Sequence, residues 1–464
     1  MVRMSRWVAA LTAGVSLLAV AANAQAQSLE EALAYAYNSN PTLQAERARL
    51  RATDESWVQA RSARLPSISA DASISRNNTE SRSTFVLGNQ QVISESETDS
   101  TPKNYSITAV QSIYRGGRTS GQINQANAQV MAGRESLRAV EQSVLVDAVT
   151  AFMDVRRDME VVSIRRNNVD VLTQHLQAAQ DRFEVGEITR TDVAQAEARL
   201  SGAQAQLAGA QSQLSVSRAA YERVTGEPAA TLEQPPALPD LPDNLADAAS
   251  AAFDNSPQLR AAQYGEEAAR HGIEVARGAM RPEVSLRASA SAARDSSFSG
   301  DERDSTSITG TISMPIFTGG LNRSRVRAAV ASEEQARFQV NEARRQVTEG
   351  VTNAWTGYVA SLAVIESSRQ AVLANEIALD GVEQEAYVGL RTTLDVLDAE
   401  QELLESRLTL VTSERDSYVA GYRLLQAMGL LSADSLGLGV ELYDPAAVEN
   451  SRSRFNNFDL TPWN

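Results

Sequence analysis

The chain is written twice. Gly186 and Gly389 lie 203 residues apart, and the same pattern surrounds each: Phe183 to Leu200 reads FEVGEITRTDVAQAEARL, and Tyr387 to Leu403 reads YVGLRTTLDVLDAEQEL. Thr189 matches Thr392, Asp192 matches Asp395 and Glu197 matches Glu400. Nearer the start of each copy the offset is 216: Pro66 matches Pro282, and Asn40-Pro41-Thr42-Leu43 is echoed by Asn255-Ser256-Pro257-Gln258-Leu259. A period this long is not that of a solenoid. It is a whole set of elements used twice.

The longest element in each copy begins at a glycine pair, Gly116-Gly117 and Gly319-Gly320, where glycine accepts the backbone angles of a strand-to-helix junction. The segments that follow, Arg118 to Val185 and Leu321 to Val388, are both 68 residues long and contain no proline. As helices they would each span roughly 100 Å. Equal length in both copies predicts that they stand side by side. Past the Val-Gly turn a second helix carries a heptad seam: Val193, Leu200, Leu207, Leu214 and Tyr221, with Val396, Leu403 and Leu410 in the second copy. Such a seam packs helix pairs as a left-handed coiled coil.

Before each glycine pair the period switches to two. Ser67 to Arg76 and Glu283 to Ala292 alternate small or apolar residues with Ser, Asp and Arg; Asn104 to Tyr114 and Ser307 to Phe317 read as their partners across a polar loop. Strands of about ten residues with one apolar face fit a transmembrane barrel. The expected organisation is a signal peptide (1–26), a first repeat (27–231), a Pro-rich linker (232–243), a second repeat (244–431) and a C-terminal tail without a copy (432–464).

The start has the form of a secretory signal: Arg3 and Arg6, an apolar run from Trp7 to Val20, and small-x-small sites ending at Ala24 and Ala26, with cleavage expected after Ala26. No run of about 20 apolar residues follows it, so no mature transmembrane helix is expected. The chain contains no cysteine, hence no disulfide and no lipidated N-terminal Cys. A formal net charge of −15 argues against nucleic acid. His175 and His271 each stand alone in a helical stretch and read as surface or packed helix residues. No metal cluster, catalytic triad, phosphate loop or cysteine nucleophile is legible, so neither a cofactor nor an enzymatic activity is expected.

These features force an assembly. One chain supplies four membrane strands, the smallest barrels of this kind have eight, and a spanning sheet cannot leave an open edge in lipid. Dimers or trimers both satisfy the count. The helices must project into the periplasm, and a helical tube ending in a barrel is a conduit. A non-conducting periplasmic coiled-coil scaffold is the alternative, disfavoured by the amphipathic hairpins.

The chain resembles the TolC family of outer-membrane efflux and type I secretion channels. The resemblance rests on SLEEALAYAYNSNPTL (Ser28 to Leu43), the junctions IYRGG and IFTGG (Ile113 to Gly117, Ile316 to Gly320) and the two tips. It implies a homotrimer in the outer membrane with a twelve-stranded barrel and a coiled-coil α-barrel. It also implies a periplasmic adaptor and an inner-membrane pump or ABC transporter as partners. The tail from Gly439 to Phe455 resembles those of type I secretion members, so drug-like and protein cargo are both expected possibilities.

Thr392 and Thr189 stand where helix N-caps belong, with Asp395 and Asp192 three positions later, as capping requires. Capping does not account for Asp398, one turn further in, where the first copy has Gln195. Asp395 and Asp398 share a helix face, and their like charge is unfavourable there. The resemblance implies that this pair lines a closed periplasmic aperture, a ring of six carboxylates in a trimer. It further implies a lock between Arg391 and the pair Thr191 and Asp192. The family's lock also contains a Tyr, at the position of Ala386 here, with Tyr387 one residue away. Val185, Gly186, Val388, Gly389 and Leu390 fall at the tips that meet the adaptor in that family. Glu187 departs from the Leu or Thr usual there.

Overall fold

The computed structural model describes residues 26–296 and 300–445. The body of the expected signal and the end of the tail, 446–464, lie outside the described residues.

The first copy starts with α1 (Leu29–Ser39) and α2 (Pro41–Ser62). Ser28 and Glu31 form a reciprocal capping box at the start of α1. Asn40 breaks the helix and restarts it, its side chain accepting from the Thr42 and Leu43 N–H groups with Pro41 at the first helical position. The second copy repeats the break with Ser256 and Pro257 between α5 (Leu245–Asn255) and α6 (Pro257–Gly278). Between them lie β1 (Ser67–Ile74), β2 (Asn77–Leu87), β3 (Gln90–Ser100), β4 (Lys103–Arg115), α3 (Arg118–Glu184) and α4 (Arg190–Thr225). The second copy continues with β5 (Glu283–Arg294), β6 (Glu302–Ser313), α7 (Leu321–Tyr387) and α8 (Thr393–Ala427). The long helices α3 and α7 are both 67 residues. Each ends one residue short of the expected span, with Val185 and Val388 as caps.

Strands β1, β4, β5 and β6 form one sheet in that order, antiparallel throughout. Ile68, Ala109, Ala288 and Ile308 lie opposite one another across it, as do Ala70, Ile107 and Ala290. The alternate rows are Ser69, Thr108, Ser289 and Ser307. One face is therefore apolar and the other is rich in hydroxyl groups. Both are open in the single chain: Ile68 is 64 % exposed and Ile308 78 %. Twelve residues, the length of β5 and β6, cover about 40 Å. Tilted by about 45°, that matches an apolar band of about 25 Å. Among the described residues no helix is long and apolar enough to cross a membrane.

Two expectations are corrected here. The stretch read as a polar loop in the first copy is a second hairpin, β2 on β3, turning at Gly88-Asn89 with Gly88 at φ +64°. A two-residue Gly-x turn suits such a hairpin. The second copy's last strand ends at Ser313 rather than Phe317. Pro315 follows and has no N–H for the ladder.

The main core sits partway along the helices, away from the tips. Leu29, Leu33, Leu145, Phe152, Tyr221 and Leu424 are almost wholly buried there. The helix break welds to the end of α4: Ser39 Oγ donates to the Thr225 carbonyl at 2.6 Å and Asn40 Nδ2 to the Val224 carbonyl at 3.0 Å. The Pro-rich linker is likewise held in place. Its Leu232 bridges to Gln27, Tyr418 donates to the Pro236 carbonyl at 3.1 Å, and Leu238 lies over Gly421. The tail, although without a copy, packs on the same core through Ala433 and Leu438. Glu141, whose carboxyl is raised by burial, accepts the Ala433 N–H at 2.9 Å. The Arg47 guanidinium lies over the rings of Tyr37 and Tyr443, 4.5 and 5.2 Å from their centroids.

The coiled-coil seam is buried where expected in the second copy, at Val396 and Leu403, and is shifted in the first. The heptad of Val193, Leu200, Leu207 and Leu214 is half-buried. The deeper line in α4 is Ala196, Ala203, Ala210 and Ser217, three residues along in the same heptad. Small side chains there let the helices approach closely.

Candidate functional site

Both tips are built alike. At the end of α3, Gly186 takes φ +80°, and the Glu187 N–H closes onto the Arg182 carbonyl at 2.9 Å. At the end of α7, Gly389 takes φ +81°, and the Leu390 N–H closes onto the Glu385 carbonyl at 2.9 Å. This is the left-handed C-cap for which glycine is suited. An Arg–Glu pair straps each turn: Arg182 to Glu187 at 2.9 Å, and Arg391 Nε to Glu385 at 2.8 Å. Val185, Val388 and Leu390 stand exposed at the extremity, as does Tyr387.

The next helices start in matching capping boxes. The Thr392 N–H donates to Asp395 Oδ2 at 2.8 Å and the Thr392 hydroxyl donates to the same atom at 2.7 Å. Thr189 makes the same two bonds to Asp192, at 2.9 and 2.8 Å. In both cases the backbone N–H and then the hydroxyl hold the carboxyl below its ordinary range. Capping thus accounts for Asp192 and for one role of Asp395.

Asp398 is engaged differently. Arg199 Nη2, on α4, donates to Asp398 Oδ1 at 2.6 Å. The contact joins the two helical hairpins through a pair that is about half exposed. Val396 and Leu397 turn inward, Leu397 packing with Leu172 and Ala203.

The expected lock residues are not brought together within one chain. Arg391 is on Glu385, Asp192 is on Thr189, and the Thr191 side chain has no hydrogen-bond partner among the described residues. Near the tips the two hairpins are tied within the chain by Arg199–Asp398, and farther along by Arg415 on α8 to Asp154 on α3 at 2.8 Å. Arg199 was not anticipated, although it lies one turn past Gln195, the residue aligned with Asp398. His175, expected to stand alone, lies 4.0 Å from Glu400 and near Glu383.

Two very long helical hairpins that end in matched tips, joined to an amphipathic antiparallel sheet with open edges, define an outer-membrane export channel subunit. The chain belongs to the family described as "Outer membrane efflux protein", whose profile matches residues 17–227 and 248–430. It is 35 % identical over 427 residues to the outer membrane efflux protein BepC of Brucella suis, covering 91 % of this chain and 90 % of that one. It is 25 % identical to the outer membrane protein TolC of Escherichia coli over 94 % of this chain and 89 % of that one. The crystal structure of the Campylobacter jejuni CmeC outer membrane channel superposes with a TM-score of 0.75 at 15 % identity, covering 92 % of this chain and 89 % of that one. The resemblance to the TolC family is thereby established. The protein resides in the outer membrane with its helical part in the periplasm.

Proposed function

We propose that three copies close one twelve-stranded barrel and one periplasmic tunnel, sealed at the tips by Asp395 and Asp398. The duct carries no chemistry of its own. It passes cargo delivered by an inner-membrane pump or ABC transporter through a periplasmic adaptor that docks on the exposed tips, Val185-Gly186 and Val388-Gly389-Leu390.

The observation that carries this reading is the pair of open edges, β1 and β6, on a sheet with one apolar face. In lipid those edges must be paired, and only further copies of the chain offer matching strands. Copies arranged head to tail bring β6 against the next β1, antiparallel like every other pair. Eight strands from a dimer would leave an interior filled by side chains, whereas twelve leave a lumen. Relatives include an alkaline protease secretion protein of Pseudomonas aeruginosa and a toluene efflux pump protein of Pseudomonas putida. A duct wall therefore accommodates either cargo, and the pump selects it. A scaffold without a pore gives no reason for the apolar sheet face. Conductance in planar bilayers tests the reading: purified protein should form low-conductance channels blocked by cations, and its failure to form any channel would refute it.

The closed tip is held, in the same reading, by Arg199–Asp398 within each chain and by Arg391 reaching Thr191 and Asp192 of the next chain on leaving Glu385. An exposed pair is worth roughly 0.2–1 kcal/mol. Three broken at once should shift the closed-to-open ratio by roughly 3- to 150-fold. Arg199→Ala is therefore expected to raise open probability while tightening cation block, because it frees the Asp398 charge. Single-channel recording with added divalent cation separates the two effects. Block weakened by Arg199→Ala would contradict this role.

A further inference from the structure

We propose that His175, Glu383 and Glu400 form a transition-metal site of the zinc class that clamps the second helical hairpin to the first. His175 is on α3, Glu383 on α7 and Glu400 on α8. One ligand atom from each lies within 4.8 Å of the others. His175 and Glu400 are partly buried where the helices meet, with 26 % and 17 % of their side chains exposed, and Glu383 is exposed. An imidazole nitrogen with two carboxylate oxygens suits Zn2+, Co2+ or Ni2+ and is a poor match for Mg2+ or Ca2+. Tetrahedral ligands at about 2.1 Å from Zn2+ stand roughly 3.4 Å apart. Small rotations of two flexible Glu side chains close that gap.

A second observation supports the site. Neither Glu383 nor Glu400 has an arginine or lysine in ion-pair contact among the described residues. The fold thus gathers two acids from separate helices with only His175 between them. Like charges so placed are unfavourable unless a cation bridges them. The site is also not a by-product of the repeat: the matching positions in the other copy are Ala378, Gln180 and Glu197.

The location gives the metal a consequence. The hairpin of α7 and α8 carries Asp395 and Asp398, and the site ties it to α3 about two and a half turns above the tip. A bound ion would hold the two hairpins at their closed spacing. The binding stands apart from the channel reading, whereas the effect on opening rests on it.

The test uses full-length purified protein carrying Asp395→Asn and Asp398→Asn, so that aperture carboxylates do not compete. Calorimetric titration with ZnCl2 should give one Zn2+ per chain. His175→Ala or Glu383→Gln should weaken it by on the order of 100-fold, and MgCl2 should not occupy the site. Glu383 is exposed, so Glu383→Gln is a substitution the fold tolerates. Absence of stoichiometric zinc, or zinc retained equally by His175→Ala and Glu383→Gln, would overturn the site. In bilayers, Zn2+ should lower open probability in the Asp395→Asn/Asp398→Asn protein and not after His175→Ala. Zinc bound without that change would overturn the clamp.

Discussion

The double variant Asp395→Ala/Asp398→Ala is expected to conduct several-fold more than the parent and to lose block by divalent cations. In water a unit charge at 4 Å from a carboxylate gains about 1 kcal/mol. Six carboxylates around one aperture therefore hold a cation by several kcal/mol, and divalent block should weaken by at least about 100-fold without them. The two residues can be separated. Asp395 also closes a capping box with Thr392, so Asp395→Ala removes support from the start of α8 as well as ring charge. Asp398 makes no cap, and Asp398→Ala removes ring charge and the tie to Arg199 alone. Thr189→Ala is the control. It breaks an equivalent box at the other tip and should leave block intact. Block surviving in Asp398→Ala with Asp395→Asn would remove these residues from the aperture.

The second large effect is expected where strand becomes helix. Gly116 holds φ +64°, and a Cβ there would meet the Gly278 carbonyl oxygen at 2.4 Å and Arg281 Cβ at 2.7 Å. Arg281 Nη1 donates to the Gly116 carbonyl at 3.1 Å, while Arg115 and Arg118 both reach Glu283, at 3.2 and 2.5 Å. This joint locks the sheet onto α3 and α6. Gly116→Ala should cost about 2–4 kcal/mol, combining left-handed strain with overpacking against backbone. Gly88 has the same φ of +64° with nothing within 4 Å, so Gly88→Ala should show the strain alone, about 1–2 kcal/mol. Thermal unfolding of the two variants gives the comparison, and Gly116→Ala no less stable than Gly88→Ala would contradict the packing described.

Much of this architecture is legible in the chain because local rules are repeated. Gly117 and Gly320, the Thr189 and Thr392 caps and the Val-Gly tips bound the long helices to within a residue. What is not legible has distant or faint causes. The hairpin Asn77–Leu87 with Gln90–Ser100 is polar along most of both strands, so alternation barely shows and only Gly88-Asn89 marks the turn. The docking of the tail depends on Tyr443 meeting Tyr37 and Arg47, some 400 residues earlier. Arg199–Asp398 spans 199 residues. The copies would reveal it only by asking which side chain faces an acid that has no counterpart. The same holds for His175, whose partners come from two other helices.

The central claim is that the sheet is completed by further copies of the chain. The natural sequence has no cysteine, so introduced pairs report cleanly. One cysteine replaces Ser67, Ser69, Asp71 or Ser73 on β1 and another replaces Ser305, Ser307 or Thr309 on β6, all on the polar face. Within one chain β1 and β6 are three strand spacings apart, about 14 Å, too far for a disulfide. Oxidation in membranes should give a ladder of covalent species that ends at three chains. A ladder ending at two, or no link between chains at any register, would contradict the shared twelve-stranded barrel.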